Sequence, residues 1–88
     1  MDTEEFLFFK IVNTQVGRHY YLCDFYLQSS NEAISRFRVV VEDNHIDYIV
    51  LLQHSNPVGW EILEWPDGIS EELKASLPLI LEAHGIHE

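Results

Sequence analysis

The sequence predicts an α+β fold: an antiparallel β-meander of four to five strands with one C-terminal α-helix packed on one face. Two observations carry this. Up to Trp65 the chain is a series of short segments rich in β-branched and aromatic residues, with apolar positions alternating, separated by polar or glycine-bearing turns. From Ile69 onward the apolar positions recur at the helical period instead. Hairpins in series need only short connections, and a terminal helix can lie along the sheet they form.

Glu5 to Asn13 reads as the first strand, Thr14-Gln15-Val16-Gly17-Arg18 as the turn and His19 to Gln28 as the second strand. A five-residue loop places Leu7 opposite Phe25, Phe9 opposite Cys23 and Ile11 opposite Tyr21. Those six side chains then share the expected core face. Phe6, Phe8, Lys10 and Val12 fall on the other face with Tyr20, Leu22, Asp24 and Tyr26. Ser29-Ser30-Asn31-Glu32 matches a helix capping box, but β-rich sequence resumes at once, so Ser29 to Ser35 is read as a polar loop.

Arg36 to Glu42 alternates cleanly, with Phe37, Val39 and Val41 on one side and Arg36, Arg38 and Val40 on the other. Asp43-Asn44 is the expected two-residue turn, and Asp47 to Gln53 the returning strand. Closing there pairs Val41 with Ile46, Val39 with Tyr48 and Phe37 with Val50. A slip of one residue would turn Arg36 and Arg38 into the core, at a large desolvation cost.

His54 to Gly59 is a loop by composition, Trp60 to Trp65 a short strand, and Pro66-Asp67-Gly68 a turn. Trp60 and Trp65 stand five apart, which on a regular strand sends them to opposite faces. Ser70 is the expected N-cap, with Glu71 and Glu72 favoured by the helix dipole. Ile69, Leu73, Leu77, Ile80, Leu81 and His84 form one helical face. Pro78 should kink or split the helix, and Gly85 should end it, with Ile86 reaching back to Leu81.

The 88 residues are expected to form a single α+β domain, 1–88, and the apolar fraction of 47% argues against disorder. Fifteen acidic residues against five basic ones give a formal net charge of −10. Such a chain repels phosphate backbones and anionic membrane surfaces, so neither direct nucleic-acid binding nor membrane binding is expected. Cys23 is the only cysteine, which excludes an intrachain disulfide and reads as a small buried hydrophobe. The acidic start Met1-Asp2-Thr3-Glu4-Glu5 lacks the basic region of a signal peptide, and a cytoplasmic location is the expectation.

No nucleotide-binding glycine motif, nucleophile elbow, HExxH or CxxC occurs. His84-x-x-His87 has a ligand-like spacing, but Gly85 breaks the helix between the two, so no metal site is expected and no cofactor is implied. His19 and Cys23 stand about 13 Å apart along their strand, too far for a nucleophilic dyad.

One helix covers one face of a sheet. Phe6, Phe8, Leu22, Tyr26, Ile49 and Leu51 are expected on the other, with Arg36 and Arg38 among them. Aromatic and arginine side chains on an apolar surface mark protein interfaces. The reading is therefore a small acidic protein-interaction or homodimerisation module without catalytic activity, its partner another protein or a second copy. A runner-up is an acidic inhibitor or antitoxin-like regulator docking on a basic surface, such as that of a nucleic-acid enzyme. A third is a small ligand-binding protein or enzyme with a pocket between helix and sheet.

Overall fold

The computed structural model describes residues 4–15, 18–56 and 58–85. Five strands, β1 (Glu5–Asn13), β2 (Tyr20–Ser30), β3 (Ile34–Asp43), β4 (Ile46–Ser55) and β5 (Gly59–Glu64), pair antiparallel in sequence order, and α1 (Leu73–Ala83) follows. The α+β meander with its terminal helix is thus the fold of this chain.

The first hairpin follows the expected register only at its start. Phe6 pairs with Tyr26, but a bulge at Leu7 shifts the rest by one, so Phe8 pairs with Phe25, Lys10 with Cys23 and Val12 with Tyr21. The loop is correspondingly longer, because pairing ends at Asn13 and Tyr20. Thr14 clamps it: its backbone N–H and its hydroxyl both donate to the His19 carbonyl, at 2.7 and 2.9 Å. Gly17, the expected turn residue, lies outside the described residues. A one-residue slip exchanges the two faces. Phe8 and Val12 therefore turn toward the helix, while Phe9 and Ile11 turn away.

Ser29 and Ser30 belong to β2, and the connection to β3 is tight. The Asn31 side-chain oxygen accepts from the N–H groups of Ala33 and Ile34, each at 2.9 Å, an Asx turn in place of a longer loop. The next hairpin keeps the expected faces but shifts by two residues: Val41 pairs with Tyr48, Val39 with Val50 and Phe37 with Leu52. The turn is Asn44-His45, not Asp43-Asn44. Both have positive φ, 55° and 70°, as a primed hairpin turn requires, and Asn and His tolerate that region better than most residues.

Besides a register shift between Leu27 and Ser29 in the β2–β3 pairing, a bulge at Leu63 shifts β5 against β4. This extra residue brings both Trp60 and Trp65 against the core side, correcting the expectation of opposite faces. The turn after Trp65 carries Gly68 at φ 107°, and a Cβ there would sit 3.0 Å from the Tyr48 hydroxyl oxygen. The positive φ calls for glycine, and any side chain there would also have to displace the end of the Tyr48 ring.

The helix packs Leu73, Leu77 and Leu81, all without solvent exposure, on Cys23, Phe25, Phe37, Val39, Val41, Val50 and Leu52. The N-cap of α1 is Glu72 rather than the expected Ser70, so no acid lies in the first helical turn; the Ser70 hydroxyl accepts from the Glu72 N–H, 3.2 Å, in the turn that enters the helix. Pro78 does not split the element into separate helices: α1 is continuous through it. Proline forfeits one backbone bond, and three fully buried leucines around it outweigh that loss. Gly85, at φ 79°, donates to the Glu82 carbonyl at 2.9 Å, half of the expected Schellman cap; Ile86 lies outside the described residues.

Polar and aromatic contacts pin the helix and its entry to the sheet. The Trp60 indole N–H donates to Glu82, 2.7 Å, the Ser70 N–H donates to the Tyr21 hydroxyl, 3.1 Å, and the Gln15 N–H to Glu72, 2.8 Å.

Candidate interaction face

The helix occupies one side of the sheet, and the side chains that pair across the other side form a lattice set by strand register. One row runs Ile11, Leu22, Glu42, Asp47. The next runs Phe9, Asp24, Val40, Ile49, and the third Phe6, Tyr26, Arg38, Leu51, Glu64. Arg36, Gln53 and Glu61 close the lattice at the far end. Phe6, Phe9 and Ile11 are 53%, 51% and 50% exposed, and Ile49 39%. The apolar side chains thus form an oblique band from β1 to β4, with Asp24 and Arg38 set into it, Glu42 and Asp47 along one flank and Glu61 and Glu64 past its β4 end.

Seven of the eight residues expected on this face lie there: Phe6, Leu22, Tyr26, Arg36, Arg38, Ile49 and Leu51. Phe8 does not. The bulge turns it inward, where it stacks on Phe25 at 4.6 Å between ring centroids and on His84 at 4.0 Å. Phe9, Ile11 and Val40 complete the face in its stead. The bulge at Leu7 has no residue signature, since Leu7 is neither glycine nor asparagine, so the alternation alone pointed to the wrong members of β1.

Local contacts order part of the face. The Arg38 guanidinium donates through two nitrogens to both oxygens of Glu4, each at 2.6 Å, and lies 4.6 Å from the centre of the Tyr26 ring. This fork holds the Glu4 carboxyl below the usual glutamate range, chiefly through its hydrogen bond to Arg38. Phe6 meets Tyr26 edge to face at 5.4 Å. Arg36 donates to the Gln53 side chain, 2.9 Å. Glu42 and Asp47 stand directly opposite each other on β3 and β4, a like-charge pair that costs stability where it stands.

Two concave sites compete with this surface. At the end of the sheet, His19 Nε2 lies 2.6 Å from Asp43 Oδ1 in an open cleft of about 450 Å³ with Tyr20, Leu22, Glu42 and His45. An Asp can orient an imidazole, yet among the described residues no serine, threonine or cysteine lines the cleft to serve as a nucleophile. Cys23 is fully buried on the helix side, and burial pushes its thiol up to about 12. The crevice between α1 and β1, about 330 Å³, is lined by Phe8, Lys10, Leu79, Ile80, Ala83 and His84, with no tyrosine. Among the described residues no group of three or more His, Cys, Asp or Glu is placed to hold a metal ion, and no helix is long and apolar enough to cross a membrane. In comparisons with protein-family models, curated proteins and solved structures, nothing matches this chain.

Proposed function

We propose that this chain is a protein-interaction module that buries the open face of its sheet against another protein. The observation that carries the reading is the group of half-exposed Phe6, Phe9, Ile11 and Ile49, gathered with Leu22, Tyr26, Val40 and Leu51 on the side that α1 leaves uncovered. Apolar side chains gathered on one face, rimmed by polar groups, mark a contact surface, whereas scattered ones carry no such meaning. Burial of such a band supplies binding free energy in proportion to the area removed from water, on the order of 25 cal/mol per Å² before association costs.

A face-to-face homodimer is the less favoured form. Among the described residues the face carries the carboxylates of Glu4, Asp24, Glu42, Asp47, Glu61 and Glu64, against the guanidiniums of Arg36 and Arg38. A second copy would set like charge against like.

The test compares wild type with a Phe9→Thr/Ile49→Thr variant, both exposed strand positions where threonine keeps β propensity. Each is used as bait, and light scattering gives its oligomeric state. The expected result is a monomeric chain that retains a binding partner which the variant loses. A variant that captures the same proteins as wild type would remove the face from consideration.

A further inference from the structure

The charge layout on the open face narrows the partner. We infer that the segment docked there is a cationic amphipathic helix, an inference that rests on the open face being the contact surface. Glu42 and Asp47 flank the apolar band on β3 and β4, and Glu61 and Glu64 lie on β5 past its β4 end, beyond Leu51 and Gln53. Asp24 lies within the band, between Phe9 and Val40. Arg38 is already held by Glu4, and Arg36, bonded to Gln53, stands against Asp24, Glu42, Asp47, Glu61 and Glu64, so the face keeps an excess of negative charge around an apolar centre. Ammonium or guanidinium groups of a partner helix crossing from β1 to β5 would find Glu42 and Asp47 along one flank and Glu61 and Glu64 at the β5 end, while its apolar stripe met Phe9, Val40 and Ile49.

The directly opposed Glu42 and Asp47 sharpen the point. Their mutual repulsion is relieved when a cation is placed between them, so cation binding there gains what the free chain forgoes. The shape fits a helix. Five strands spaced by about 4.8 Å make a sheet about 19 Å wide, the length of roughly 13 helical residues. The other side of the same sheet already accepts α1 through a leucine stripe. A helix on the open side would complete a three-layer arrangement, with charge steering its approach.

The probe is a synthetic helical peptide of about 14 residues, built from leucine and lysine with the leucines on one face. Its twin carries glutamate in place of lysine. Binding to the full chain is followed by amide chemical-shift mapping. The lysine peptide is expected to shift Leu22, Val40 and Ile49, and to bind about tenfold or more weakly when ionic strength rises from about 0.1 M to about 1 M, as the Debye length falls from about 10 Å to about 3 Å. Glu42→Gln with Asp47→Asn should weaken it by about tenfold, while the glutamate twin should leave the spectrum unchanged. Shifts centred on Glu71 and Glu72 would overturn the inference, because acid alone would then be attracting the peptide. Equal binding of both peptides to the face would overturn the charge argument yet leave the face as a docking surface. Dimerisation of the free chain through Val40 and Ile49 would overturn both.

Discussion

Phe8 and His84 stack with ring centroids 4.0 Å apart and planes inclined by 21°, joining edge strand β1 to the residue that caps α1. Because Phe8 also stacks on the buried Phe25, it packs against the core half-buried, and its neighbour Phe9 does not. Phe8→Ala should therefore destabilise by roughly 2 to 3 kcal/mol, less than a fully buried phenylalanine would cost. Phe9→Thr should change stability by about 0.5 kcal/mol or less. Urea unfolding of the pair checks the register directly, and the opposite ranking would mean that the bulge at Leu7 is absent.

The ion pair at Glu4 and Arg38 gives a small acid dependence. The folded-state pKa of Glu4 is depressed, so its contribution is fully present above the ordinary value of 4.5 and fades as pH falls through the folded value. Both side chains are partly exposed, which limits the effect to about 1 kcal/mol or less. Unfolding measured from about pH 6 down to about pH 3 should show a shallower loss in Glu4→Gln than in wild type.

Cys23 should act at the other end of the pH scale. Its folded-state pKa is raised to about 12 from 9.0, so the native thiol stays protonated while the unfolded one ionises. Above pH 9.0 this favours unfolding, by about 1.4 kcal/mol per pH unit, up to the folded value. Cys23→Ala should lack that share of the alkaline slope. A thiol reagent should label the wild-type chain only under unfolding conditions.

At the β3–β4 turn, His45 holds φ 70° with its side chain almost wholly in solvent. Glycine adopts that conformation without a Cβ penalty, so His45→Gly should raise stability by roughly 0.5 to 1 kcal/mol. Thermal or urea unfolding decides it, and a loss of stability would place the turn elsewhere.

The sequence by itself determined the element order, the faces of β3 and β4, and the leucine stripe of α1. In each case the alternative register or face would have buried arginine or exposed leucine, a penalty large enough to be visible in the pattern. Asn44-His45 in place of Asp43-Asn44 moved pairing by two residues and left every face unchanged, because the strand period is two. Only the tertiary structure decided which phenylalanines of β1 face solvent and where Trp65 goes. Both depend on bulges, at Leu7 and Leu63, whose single extra residue reverses the alternation without any glycine or proline to mark it. Pro78 is the same lesson in the helix: the local rule asks for a break, and the packing of Leu73, Leu77 and Leu81 overrides it. The candidate face was legible as a surplus of apolar side chains over what one helix can cover. Its final members were not, since the choice between Phe8 and Phe9 is made by long-range pairing with Phe25 and Asp24 rather than by any local preference.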